Sequence, residues 1–247
     1  MSYLLKEQLA HPENYGGTRS TDEIQYLVIH YTGNDGDAAA NNAAYFQNNV
    51  VKASAHYFVD DTTVYRSVPE EKIAWAVGGT QYADCAQSGG GTMYGKITNR
   101  NSISIELCDT LRDGTYRASE ETLANAVQLC RELMDRYRIP LSRVYRHFDV
   151  TGKYCPRYFV DEAAWASFKR RLEEPTITQE QFNRLMERWL ADQGTKLPST
   201  GSLDSRLWAE NLGLISGFSD GTKRYKAFCT REQLILILHR FWKQLSE

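Results

Sequence analysis

The chain of 247 residues lacks any apolar run near the ~20 residues that a membrane-spanning helix needs. A helical membrane protein is thereby excluded. It also lacks an excess of charge of either sign, since its formal net charge is −2. Bulk electrostatics gives no reason to expect a nucleic-acid partner. Cysteine is sparse, odd in number and widely spaced: Cys85, Cys108, Cys130, Cys155 and Cys229. That argues against a disulfide framework. Cys108 and Cys130 sit in apolar patterns and read as core, and Cys85 reads as a loop thiol without an evident task. The segment Met1-Ser2-Tyr3-Leu4-Leu5-Lys6-Glu7 lacks the basic-then-apolar pattern of a secretory signal. The expectation is a chain made in the cytoplasm. Gly89-Gly90-Gly91 has no Lys-Ser/Thr after it and no helix start, so it is not a phosphate loop.

What is present reads as α/β. Residues 24–31 alternate and end in a turn, as a strand does. Asp37 is placed to cap a helix over 38–48, with Ala43, Ala44 and Phe46 on its packing side. Residues 55–59 and 64–68 flank Asp60-Asp61 and predict a hairpin. The glycine-bearing segment 78–101 is a long loop, which in a compact domain usually binds something or moves. Ser102 to Leu107 alternate strictly, so Ile103, Ile105 and Leu107 share one face and Glu106 lies on the other. Ser119 caps a long helix with the stripe Leu123, Val127, Cys130, Met134 and Tyr137, ended by Pro140. Asp161 starts another, with Trp165, Phe168 and Leu172 on one side. Glu173-Glu174-Pro175 reads as a linker. Beyond it Thr178-x-x-Gln181 and Thr230-x-x-Gln233 are capping boxes. The expected division is 1–173 as catalytic domain, 174–202 as a linker carrying a helix, and 203–247 as a small helical module.

Chemistry concentrates in His147-Phe148-Asp149-Val150-Thr151-Gly152-Lys153-Tyr154-Cys155-Pro156, which reads as a glycine-broken loop. It carries an imidazole, an ammonium and a thiol. His30 ends the strand far upstream. A lone strand-end histidine is more often a satisfied core residue. His30, His147 and Cys155 together, however, make a three-ligand zinc set with a fourth tetrahedral position left for water. Glu106 stands in an apolar strand where an unpaired carboxylate is costly. A neighbouring cation explains it there, and a carboxylate beside a metal site suits a general base. Lys153, two residues before a ligand, is placed to stabilise a developing oxyanion. His56, beside Tyr57 and Phe58, reads as buried support. His11 and His239 lie outside any cluster.

These residues resemble a family. His30-Tyr31-Thr32, Ser54-Ala55-His56-Tyr57-Phe58-Val59-Asp60, Val68-Pro69-Glu70 with Ala74-Trp75, Asn101 to Glu106, and His147 with Gly152 to Pro156 are similar to the zinc-dependent N-acetylmuramoyl-L-alanine amidases. The likeness is to the phage endolysin branch, related to peptidoglycan recognition proteins, and it covers roughly residues 20–172. It implies a central mixed β-sheet flanked by helices. It implies hydrolysis of the amide between N-acetylmuramic acid and L-alanine of the peptidoglycan stem. It maps zinc onto His30, His147 and Cys155, the acid/base onto Glu106, and a transition-state lysine onto Lys153. Thr32, His56, Trp75 and Asn101 become candidate substrate-binding residues. Many relatives carry a histidine after the Trp of Ala-Trp, where this chain has Ala76.

The C-terminal residues Trp208-Ala209, Gly213 to Gly217, Asp220-Gly221, Thr230 to Gln233 and Arg240-Phe241 resemble one S-layer-homology repeat. Such repeats bind secondary cell-wall polymers, typically in sets of three. One copy here implies wall anchoring, or a homo-oligomer that supplies the others. Two other readings stand beside the endolysin: a non-catalytic peptidoglycan binder on the same scaffold, and a cell-wall recycling amidase. An endolysin would act on the bacterial wall after release from the cytoplasm.

Overall fold

The computed structural model describes residues 3–173 and 179–246. The chain forms two compact units, Met1–Glu174 and Pro175–Glu247. No helix among the described residues is long and apolar enough to cross a membrane.

The first unit holds strands β1 (Leu4–Glu7), β2 (Tyr15–Thr18), β3 (Tyr26–Tyr31), β4 (Tyr57–Val59), β5 (Thr63–Arg66), β6 (Lys72–Ala74), β7 (Ser102–Leu107) and β8 (Val144–Arg146). Its helices are α1 (Ala39–Asn48), α2 (Cys85–Ser88), α3 (Glu120–Tyr137), α4 (His147–Thr151) and α5 (Glu162–Glu173). Six strands form one mixed sheet in the order β1-β5-β4-β7-β3-β8, and β2 pairs with β6 apart from it. β3 runs parallel to β7 and β8, and β7 parallel to β4. β4 and β5 make the expected antiparallel hairpin.

β3 lies inside the sheet between β7 and β8, and helices cover both faces of the sheet. Leu27, Val28 and Ile29 are therefore all fully buried, which explains the unbroken apolar run. Ile103, Ile105 and Leu107 enter the main core beside Leu129, Leu133 and Phe168 of α3 and α5. On the opposite face, Ala39 and Ala43 of α1 pack on Phe58 and Cys108.

Local signals hold at several helix ends. The Ser119 hydroxyl accepts the Thr122 N–H at 3.0 Å, and the Asp161 carboxylate accepts the Ala164 N–H at 2.7 Å. Thr230 and Gln233 bond reciprocally, as a capping box requires. Three expectations need correcting. The cap of α1 comes from Asp60 in the hairpin turn, which accepts the Ala39 N–H at 2.9 Å; Asp37 bonds the Asn42 side chain instead. The buried face of α3 also takes in Ala126, Leu129 and Leu133, so it is wider than the stripe read from spacing. The segment from His147 begins as α4, and Gly152 ends that helix with φ 84°. Thr178 lies outside the described residues.

The second unit contains α6 (Gln179–Thr195), α7 (Leu203–Asn211) and α8 (Arg231–Ser246). Within it, Trp208 of α7 meets Phe241 of α8 edge-on with ring centroids 6.0 Å apart.

One buried cation ties the first unit together. Arg19 is 3% exposed and donates to four carbonyls: Glu70 at 2.8 Å, Asn99 at 3.2 Å, Arg100 at 2.8 Å and Ser102 at 2.7 Å. Burial pushes its pKa down to about 10. Removing it strands acceptors that water does not reach. Arg19→Met is expected to cost about 3–5 kcal/mol of unfolding free energy, read from urea denaturation.

Candidate active site

The site is assembled by strand register. Parallel pairing of β3 with β7 sets His30 directly beside Glu106, and β4 adds Phe58 on the far side of Glu106. β8 pairs Arg146 with Ile29, so the next residue, His147, arrives at the same sheet edge as His30. These positions are the carboxyl ends of parallel strands, where α/β sheets place their ligands.

Cys155 is brought back by the backbone. The Phe148 N–H donates to the Cys155 carbonyl at 2.9 Å, closing the loop from His147. One donor atom each from His30, His147 and Cys155 lies within 4.8 Å of the others, and all three residues are buried. The imidazole centroids are 4.7 Å apart. His30 Nδ1 is 3.9 Å from both Cys155 Sγ and Glu106 Oε1. His30 Nε2, His147 Nδ1 and Glu106 Oε2 are buried without a hydrogen-bond partner. Buried polar atoms are rarely left so.

The protonation states follow from burial. His30 is held well below the ordinary histidine value by burial, then by His147 and Lys153. His147 falls to about 4 through burial, with Lys153 adding to it. Burial pushes the Cys155 thiol up, opposed by the Tyr31 N–H and Lys153. Glu106 rises to about 8 through burial, while Lys153 pulls it the other way. Lys153 itself is exposed, yet its charge acts on all four groups.

The substrate-binding candidates divide. Trp75 lines a cavity of about 450 Å³ with Val77, Tyr94, Ile97, Asn99 and Val150 of α4. Thr32 has a buried hydroxyl oxygen with no partner. His56 and Asn101 are both engaged by the protein itself, His56 as the buried support its neighbours suggested. His56 is fully buried; the Ser104 N–H donates to its Nδ1 at 3.0 Å, and its Nε2 lies 2.8 Å from the Arg19 guanidinium and 3.2 Å from the Lys72 carbonyl. Asn101 closes its own loop, accepting the Thr98 N–H at 2.8 Å and donating to the Lys96 carbonyl at 2.9 Å. Asn99 bonds the Ala76 and Val77 N–H groups, fixing the chain after Trp75.

Sequence reasoning missed the groups that position these residues. Asp149 accepts the Arg146 N–H at 2.7 Å and pairs with the Arg146 guanidinium, anchoring the start of α4. The long loop supplies donors to the α4 carbonyls: Gly91 to Phe148 at 2.9 Å, Met93 to Asp149 and Tyr82 to Thr151, both at 2.8 Å. A Cβ at Gly90 would press on the Gly152 backbone, and one at Gly152 would strike Cys85. The glycine triplet and Cys85 are thus a close-packed brace. Asp109 is fully buried with both carboxylate oxygens unpartnered, and burial with Asp37 and Asp35 raises it to about 7. The Glu-Leu-Cys-Asp order gave no signal for it, because the strand ends at Leu107.

His56 yields a pH prediction. Burial and the neighbouring Arg19 hold it near 3, far under its ~6.5 in an unfolded chain. Between these values the unfolded chain binds the proton that the folded one refuses. Stability from the neutral ring is therefore present above about pH 6.5 and lost as pH falls. From pH 7.5 to pH 5 the wild type should lose about 2 kcal/mol more than His56→Asn, measured by urea unfolding at each pH.

Comparison with known proteins agrees with this geometry. The family model described as N-acetylmuramoyl-L-alanine amidase matches residues 20–158. The N-acetylmuramoyl-L-alanine amidase CwlA of Bacillus subtilis (strain 168) is 34% identical over 152 residues, covering 61% of this chain and 50% of CwlA. XlyB of the same organism, also an N-acetylmuramoyl-L-alanine amidase, is 34% identical over 152 residues, covering 61% of this chain and 42% of XlyB. The structure of PlyL superposes with a TM-score of 0.55 at 31% identity, covering 72% of this chain and 100% of PlyL. The catalytic domain of XlyA gives 0.53 at 31% identity, covering 68% and 98%. This chain spans about half the length, or less, of the curated relatives it matches. The matched segment contains His30, His147, Cys155, Glu106 and Lys153, and it takes in more than half of the sequence: the chain belongs to the N-acetylmuramoyl-L-alanine amidase family.

Proposed function

We propose that this chain is a zinc-dependent endolysin that hydrolyses the amide between N-acetylmuramic acid and L-alanine of the peptidoglycan stem. The observation that carries this reading is the convergence of His30, His147 and Cys155 within 4.8 Å, with Glu106 3.9 Å from His30. Two imidazoles and a thiol are zinc's preferred donors, and their unpartnered buried nitrogens suit a cation. Zinc, when bound there, supplies Lewis acidity and makes water acidic enough to attack near neutral pH.

The chain's own residues do the rest. Glu106 takes the proton from the attacking water and later delivers one to the leaving amine. Its raised pKa suits a group that must both accept and give a proton near neutrality. Lys153 holds an ammonium beside the ligands and stabilises the oxyanion that develops on the scissile carbonyl. Thr32 and the Trp75 cavity offer contacts for the glycopeptide. In this reading the chain is made in the cytoplasm and meets the wall after release.

For the second unit we propose wall anchoring through an S-layer-homology-like fold that binds a secondary cell-wall polymer. A groove of about 390 Å³ there is lined by Phe218, Tyr225 and Phe228 together with Lys223, Arg224 and Arg240. Aromatic faces with cations suit an anionic glycan. Tyr225→Ala with Phe228→Ala is expected to lower the fraction of protein that cosediments with walls. Hydrolysis of soluble muropeptide should not change.

Mass spectrometry of digested wall tests the activity. Free N-terminal alanine on intact glycan is expected; new reducing ends or cuts within the peptide would overturn the reading. Glu106→Gln should reduce turnover by about 10²–10⁴-fold while zinc content stays unchanged. Cys155→Ser should lose zinc and activity together. Wild-type rates in either variant would overturn the assignment of these residues, and a wild type that binds wall without hydrolysing it would favour a non-catalytic peptidoglycan binder. Activity confined to small muropeptides, with sacculi untouched, would favour a recycling amidase.

A further inference from the structure

The second unit buries little of its apolar content. Leu214 is the one buried apolar residue among those described in it, and most of the exposed large apolar side chains of the chain lie there. α8 shows why. Its inner side, Ile237 and Phe241, is half-buried and faces the groove and Trp208. A second stripe adjoins it, about 100° further round the helix: Ile235, Leu238, Trp242 and Leu245, exposed by 65%, 56%, 62% and 71%. A helix that is apolar on two sides is one with two apolar neighbours. The chain supplies one of them.

The spacing of the outer stripe identifies the other. Steps of three, four and three residues are the a and d positions of a helix–helix seam. The stripe is also self-complementary. In an antiparallel pair, Ile235 meets Leu245 and Leu238 meets Trp242, so a large side chain faces a smaller one in the middle of the seam. Charge selects that direction. Arg231 continues the stripe by one d position towards the N-terminus. In a parallel pair two Arg231 guanidiniums would face each other. In an antiparallel pair each lies past the last turn of the other helix, beside its C-terminal carbonyls, which favour a cation. The four side chains leave roughly 500 Å² of surface per copy in water, so pairing removes at most about 1,000 Å², the lower bound for a specific interface.

We propose that the outer face of α8 is an interface between two copies of this chain, paired antiparallel about a two-fold axis that passes near residue 240. The interface is isologous, so it closes at two copies and does not propagate. It does not depend on the amidase reading. Each particle then carries two first units and two grooves, and wall binding gains from two attachment points.

Sedimentation velocity of the full chain at micromolar concentration is the test. A dimer is expected for the wild type. Leu238→Lys and Trp242→Glu, both outward-facing, should raise the dissociation constant roughly 100-fold, with unchanged helical circular dichroism. In a Cys229→Ser background, Ile235→Cys protein mixed with Leu245→Cys protein should cross-link to each other in preference to themselves. A monomeric wild type, a trimer or larger assembly, variants that remain dimeric, or preferential Ile235→Cys self-cross-linking would each overturn the proposal. A dimer without hydrolytic activity would leave this interface standing and remove the functional reading.

Discussion

The parallel register of β3 against β7 is the constraint on which the site depends. A shift of one residue would turn His30 away from Glu106 and put a carboxylate into the core formed by Ile103, Ile105 and Leu107. The register is held because both faces of these strands are buried. Chemistry and packing are therefore one pattern read from two sides: the residues that point one way make the core, and those that point the other make the site. β8 extends the same logic. Its pairing with β3 delivers Arg146, and the helix that starts immediately afterwards delivers His147.

Around this frame, buried charge is met by backbone carbonyls at one place and by opposed side chains at another. Arg19 is satisfied by four carbonyls. Glu70, also buried, takes the Tyr57 hydroxyl and the guanidiniums of Arg66 and Arg136. At the cluster of His30, His147, Cys155 and Glu106, nitrogens and a carboxylate oxygen are left without partners, as are both oxygens of buried Asp109, and burial is the largest influence driving the imidazoles neutral and Glu106 towards its protonated form.

The sequence was legible where a residue's role is local or periodic. Alternation in 102–107 placed Glu106 opposite the core, and Ser119, Asp161 and Thr230 announced their helices. The site residues were legible through residue type and motif, since imidazole, thiol and carboxylate are scarce and their spacing here is distinctive. What stayed hidden is long-range. Nothing near Ala39 says that its cap is Asp60, twenty-one residues on. Nothing in Arg19 announces four distant carbonyls. For His56 and Asn101 the motif marked the position without saying whether a substrate or the backbone uses it. Gly89 to Gly91 and Cys85 were read by what they lack, although their task is to let two segments approach closely.

That close approach also divides the support of the site. The carbonyls of α4 are held by N–H groups from Tyr82, Gly91 and Met93 of the long loop. His30 is carried by a strand inside the sheet, whereas His147 and Cys155 are carried by a segment whose Val150 packs on Val28 of that strand and on Val77 and Ile97 of the long loop. The three converging side chains thus rest on two supports, and their spacing depends on how the loop seats α4 as well as on strand register.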